Sequence, residues 1–144
     1  MIILGADHGG YMLKEHVKSA LLEKGVEVTD IGIFEVHAVD YPDVAQAVCQ
    51  VVLENEDNKG ILICGTGIGI SMAANKVNGI RCALLSDCYS ARMAAEHNNA
   101  NVIALGGRVL GVDLAMEIVN TFLATKFQGE RHQKRVDKMH ALEI

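Results

Sequence analysis

Two hydrophobic patterns alternate along the chain. Short apolar runs at 1–5, 26–31, 60–64, 81–86 and 101–105 predict strands, and longer segments repeat apolar residues about every four positions. Leu13, Val17 and Leu21 form such a stripe in a helix over 10–24 closed by Gly25. Val44, Val48 and Val52 form another over 42–57, with the only proline, Pro42, at its start. Further helices are predicted over 69–77, 88–97, 111–126 (stripe Leu114, Ile118, Phe122) and 130–142. Ile61-Leu-Ile-Cys64 and Cys82-Ala-Leu-Leu85 are apolar at successive positions, as when helices cover both faces of a sheet. Five strands, each followed by a helix, predict a five-stranded parallel sheet in an α/β, three-layer α/β/α Rossmann-like fold with an extra C-terminal helix. No repeat, low-complexity tract or linker interrupts the pattern, so residues 1–144 are expected to form a single domain.

Composition narrows the function. A chain of 144 residues, 50% of them hydrophobic, buries a core without disulfides or metals. Its apolar runs fall far short of the ~20 residues of a membrane span. Met1-Ile-Ile-Leu-Gly5 lacks the basic start and cleavage site of a signal peptide and reads as the first strand. Cys49, Cys64, Cys82 and Cys88 contain no C-x-x-C pair, which argues against a disulfide framework or zinc site and makes a reducing cytoplasm the expected compartment. A net charge of −5 with 13 Lys and Arg excludes a broad nucleic-acid surface. A local basic cluster is still enough to hold one phosphate.

In this fold, ligands meet the loops beyond the carboxyl ends of the strands. Those loops carry Ala6-Asp-His-Gly-Gly10, Gly65-Thr-Gly-Ile-Gly69, Ser86-Asp-Cys-Tyr-Ser90 and Gly106-Gly-Arg-Val-Leu-Gly111. Gly65, Gly67 and Gly69 allow the backbone to aim several N–H groups at one anionic oxygen. Ile70-Ser71 after the last glycine excludes a Walker loop, and Ile70, six residues after Cys64, excludes a cysteine-phosphatase loop. The spacing also fits a dinucleotide fingerprint poorly. Cys64 closes the strand before this loop. It is either a small core residue or a base whose thiolate is favoured by adjacent amides and a helix start. Asp7-His8 reads as a cap and surface histidine or as part of a site, with Gly9-Gly10 favouring the site. Taken alone, His97-Asn98-Asn99 is a helix end. His16, His37 and His140 show no metal-ligand spacing, and no metal is expected. Arg131 and Arg135 share a helical face, which is either a solvated basic face or, with Arg108, a phosphate clamp.

Together, Asp7-His-Gly-Gly10, Asp40-Tyr-Pro42, Cys64-Gly-Thr-Gly-Ile-Gly-Ile-Ser71 with Ala73-Ala-Asn-Lys76, Glu96-His-Asn-Asn99 and Arg131-His-Gln-Lys-Arg135 resemble the ribose-5-phosphate isomerase B and galactose-6-phosphate isomerase family, from first strand to last helix. The resemblance implies a cofactor- and metal-free aldose–ketose isomerase of phosphorylated sugars, acting as a homodimer or dimer of dimers with active sites at the subunit interface. It gives Cys64 the role of the base that moves a proton between C1 and C2 through an enediolate, and Thr66 that of a proton relay. Backbone amides of Gly65, Thr66, Gly67, Ile68, Gly69 and Ile70, helped by Asn98, would stabilise the oxyanion. His97 with Asp7 would open the furanose ring. Tyr41 would pack on the sugar, and His8, Arg108, Arg131 and Arg135 would hold the phosphate. Some relatives carry Glu where this chain has Ile70 and lack the cysteine; this chain is of the thiol type. Ribose 5-phosphate is the expected substrate; the alternatives are a hexose phosphate (galactose or allose 6-phosphate) and a binding module without chemistry.

Overall fold

The computed structural model describes residues 1–144. Its strands are β1 (Ile2–Ala6), β2 (Val28–Gly32), β3 (Lys59–Cys64), β4 (Cys82–Leu84) and β5 (Val102–Gly106). The helices are α1 (Tyr11–Glu23), α2 (Tyr41–Val52), α3 (Ile68–Ala74), α4 (Cys88–Glu96), α5 (Val112–Ala124) and α6 (Arg131–His140). The strands pair in parallel in the order β2-β1-β3-β5-β4. Leu13, Val17 and Leu21 of α1, the alanines of α4 and Ile118 and Phe122 of α5 pack on one face. Ala45, Val48 and Cys49 of α2 and Ile70 and Ala74 of α3 cover the other. Ile61, Leu62 and Ile63 are fully buried between the layers, each contributing about 1.5–3 kcal/mol by area. No helix is long and apolar enough to cross a membrane.

The chain after β1 runs to one face and the chain after β3 to the other, so a crevice opens at their carboxyl ends, the usual ligand position in such sheets. Pro42 lies in the first turn of α2, and Gly25 takes a left-handed φ of 76° while donating to the Leu22 carbonyl.

Several expectations are corrected. The helix predicted over 42–57 ends at Val52, because Asn55 nucleates a turn: its side chain accepts from Asp57 N–H and its carbonyl from Asn58 N–H. Leu114 is 39% exposed; Ala115, Ile118, Val119 and Phe122 form the buried face of α5, and Leu114 lies about 100° off it. Leu84 is 44% exposed, because β4 is a three-residue edge strand rather than a covered one. Lys14, on the predicted apolar face of α1, is fully buried. Its Nζ lies 2.6 Å from Asp30 Oδ2, which also accepts from Lys18 at 3.0 Å. Burial pushes the Asp30 carboxyl up, but the two lysines overcome this and hold it below the ordinary value.

Candidate active site

Three connections interlock at the carboxyl edge. Asp7 N–H donates to the Ile63 carbonyl, Gly107 N–H to the Cys64 carbonyl at 2.8 Å and Arg108 N–H to the Gly65 carbonyl at 2.9 Å. The buried Asp7 carboxylate accepts from Gly9 N–H at 2.9 Å, which fixes the turn that also carries the exposed His8.

Cys64 is 4% exposed, and its Sγ accepts from Gly67 N–H at 3.1 Å. The sulfur therefore faces the glycine loop. Gly67 makes this possible with a left-handed φ of 79° and a close approach to Leu105, where a Cβ would stand 2.9 Å from the carbonyl carbon. Thr66 Oγ1 accepts from Ile68 N–H at 3.2 Å. The N–H groups of Gly69 and Ile70, in the first turn of α3, have no partner within the chain. The Ile70 side chain is fully buried, so this position offers a ligand only its backbone. Tyr41 lies over Gly69, where a Cβ would come within 2.7 Å of the phenol oxygen; the Arg108 guanidinium lies over Gly65. Asp7, His8, Tyr41, the loop Cys64–Ile70 and Arg108 thus share one edge.

The other expected residues lie at the opposite edge. Helices return antiparallel to the strands, so α4 delivers His97 and Asn98 to the amino ends. There the Asn99 carbonyl accepts from Nε of Arg81, the residue before β4, at 2.6 Å. The start of α6 is tied to the same place by Gln128 N–H, which donates to the Glu96 carbonyl. His132 of α6 stacks on His97 with ring centroids 4.0 Å apart and planes 12° from parallel, and Arg131 Nε donates to His132 Nε2 at 3.4 Å. Burial, then the charges of His97, Arg131 and Arg135, push the His132 imidazole below its ordinary value. Arg135 lies one turn along α6. His97, Asn98, Arg131 and Arg135 are therefore about a strand length, roughly 16 Å, from Cys64, and one chain does not bring His97 to Asp7.

His132 and Arg81 carry no signal of their own in the sequence: the His132 stack depends on α4 meeting α6, and Arg81 has the pattern of a strand's first residue. Cys49 is buried, which pushes its thiol up to about 12, and burial pushes Cys82 up as well. Cys88 Sγ lies 4.0 Å from Glu117 Oε2.

A family model described as ribose/galactose isomerase matches residues 2–139. Ribose-5-phosphate isomerase B of Escherichia coli is 46% identical over 142 residues, covering 99% of this chain and 95% of that protein. The structure of Clostridium thermocellum ribose-5-phosphate isomerase B superposes with a TM-score of 0.95 at 51% identity, covering 98% of this chain and 95% of that one. Ribose-5-phosphate isomerase B of Mycoplasma genitalium, solved with bound ribulose-5-phosphate, gives a TM-score of 0.94 at 42% identity over 97% and 93% of the two chains. Likeness of this extent, from first strand to last helix, shows that the chain belongs to the ribose/galactose isomerase family and is an isomerase.

Proposed function

We propose that the protein interconverts ribose 5-phosphate and ribulose 5-phosphate with Cys64 as the base. The observation that carries this reading is the 3.1 Å contact between Cys64 Sγ and Gly67 N–H, beside the unengaged amides of Gly69 and Ile70. The thiolate takes the C2 proton of the open-chain aldose, and the C2–H electrons become the C1–C2 double bond as the C1 carbonyl electrons move to O1. The enediolate is protonated at C1 by the Cys64 thiol, and the proton on O2 passes to O1 through Thr66. A sugar C–H is much less acidic than a thiol, so enediolate stabilisation must supply most of the acceleration. Preorganised amides do this, each well-placed donor being worth about 3–4 kcal/mol. Arg108 and His8 hold the phosphate from the same chain, which fixes C1 and C2 against the base.

The remaining groups come from a second copy. A two-fold pairing of α3 against α3 sets its amino end, beside Cys64, against the partner's carboxyl end. That end adjoins a 1120 Å³ cavity lined by Asn75, Arg81 and Asn98. Exposed Ile68 and Met72, four residues apart on α3, supply an apolar seam. The partner subunit's His97 then opens the furanose ring against Asp7, the partner subunit's Asn98 joins the oxyanion donors, and the partner subunit's Arg131 and Arg135 complete the phosphate clamp.

Cys64→Ala is expected to lower kcat on ribose 5-phosphate about 10²- to 10⁴-fold while phosphorylated-sugar binding persists. Wild-type turnover in this variant would refute the thiolate base. Higher kcat/KM on galactose or allose 6-phosphate would transfer the assignment to hexose phosphates, and binding without turnover of any phosphorylated aldose would leave a binding module.

A further inference from the structure

The turn carrying His97 and Asn98 is held by an unusual anchor. His97 and Asn98 N–H both donate to the Met93 carbonyl, and Ala100 N–H donates to the Ala94 carbonyl, closing the helix end on either side of Asn99. Asn99 has a left-handed φ of 48°, and its carbonyl is gripped by Arg81 Nε at 2.6 Å. The Arg81 backbone already serves the sheet: its N–H donates to Asn101 Oδ1 and its carbonyl accepts from Asn101 and Val102. The side chain forms no ion pair. Its other contacts are the Gly79 carbonyl at 3.4 Å and His140 Nε2 at 2.9 Å, both from Nη1. A guanidinium has no acceptor, so His140 Nε2 accepts and its proton resides on Nδ1, which donates to Glu143 Oε1 at 2.8 Å. Glu143 Oε1 also accepts from Gly79 N–H at 2.8 Å, so the last residues of the chain brace Arg81 against the turn. A half-buried cation satisfied only by neutral acceptors is a poor source of stability. It is well suited to fixing geometry.

We infer that Arg81 is a positioning residue for ring opening: by holding the Asn99 carbonyl, it fixes the orientation in which His97 meets the sugar ring of the partner subunit. This deepens the proposed function and rests on it. Ribose 5-phosphate is cyclic in solution and must be opened. Ribulose 5-phosphate, whose C5 oxygen carries the phosphate, is acyclic, and its C1 hydrogen exchanges with solvent through the enediolate and back with neither ring opening nor closure. Net conversion in either direction crosses the ring step. A merely structural role would slow isomerisation and this exchange alike.

The test compares kcat for isomerisation of ribose 5-phosphate with the rate of C1 hydrogen exchange of ribulose 5-phosphate in D2O, followed by NMR, for wild type, Arg81→Lys, Glu143→Gln and His97→Ala, with thermal melting of each. Arg81→Lys retains charge but has one nitrogen where two are used. It is expected to lower isomerisation of ribose 5-phosphate about tenfold while C1 hydrogen exchange of ribulose 5-phosphate stays within about twofold, since small misplacements of catalytic groups carry penalties of up to about 10²-fold. Glu143→Gln, which loosens the brace and leaves Arg81 present, is expected to show a weaker loss in the same direction. It also serves if Arg81→Lys fails to fold. Equal losses in isomerisation and exchange, or no loss, in both variants would overturn the inference. Equal loss of both reactions in His97→Ala would instead overturn the ring-opening assignment on which it stands.

Discussion

Four thiols share one chain, and their surroundings set them apart. Burial pushes Cys49 up to about 12 and Cys82 also upward, whereas Cys64 receives an N–H hydrogen bond at its sulfur and Cys88 sits half-buried at the start of α4. Limited treatment with iodoacetamide should therefore modify Cys64 and Cys88 ahead of the other two. Ribose 5-phosphate should protect Cys64 alone, as read by peptide mass spectrometry, and equal protection of Cys88 would count against the site. His132 provides a second residue-scale test. Its folded-state imidazole is pushed below the ordinary value of 6.5, so folding favours the neutral ring. The stabilisation is fully present above pH 6.5 and declines as pH falls from there through the lowered folded value. Melting temperature should drop over that window, and His132→Phe, which keeps an aromatic ring against His97, should flatten the drop.

At the scale of an element, α1 is joined to β2 by charge as well as by its leucine and valine stripe. Lys14 is fully buried and depends on Asp30, whose second oxygen accepts from Gly32 N–H at the end of the strand. Asp30→Ala leaves a buried ammonium with the partly exposed Glu15 as its one carboxylate and the Tyr11 and Phe34 rings 5.4 and 5.6 Å away, and is expected to destabilise the fold by about 3–5 kcal/mol in chemical denaturation. The folded carboxyl of Asp30 lies below its ordinary 3.8, so the pair stabilises at neutral pH and fails as pH falls through the folded value. A loss below about 1 kcal/mol would mean that Lys14 finds water or another partner once Asp30 is gone.

For the whole molecule, the proposed roles of Cys64 and His97, set at opposite edges of one chain, require two chains for catalysis. Cys64→Ala and His97→Ala homodimers should each be nearly inactive in isomerising ribose 5-phosphate. Dissociated and reassociated together, they should regain about one quarter of wild-type activity, because half the dimers are mixed and each mixed dimer has one intact site. Mixtures that stay inactive after subunit exchange, verified by native mass spectrometry, would place both residues in a single-chain site.

Local chemistry made most of the fold legible. The four-residue apolar repeat of the helices, the continuous apolar runs of the strands, the Gly25 stop and Pro42 located every strand and helix, because they express backbone preferences and the side on which each element is covered. The glycine loop after β3 and the Asp7 turn were legible as well, since both follow strands that end on one edge. Placement depended on assembly. Which face of α5 is buried, that Lys14 enters the interior, that His132 stacks on His97 and that Arg81 grips Asn99 all depend on contacts between segments far apart in sequence. The motifs grouped His97, Arg131 and Arg135 with Cys64, but the parallel sheet sends each returning helix end to the other edge. By itself, the sequence determined which groups this isomerase carries and on which elements; the tertiary structure decided that one chain holds them as two separated halves, because strand direction fixes which ends of the elements can meet.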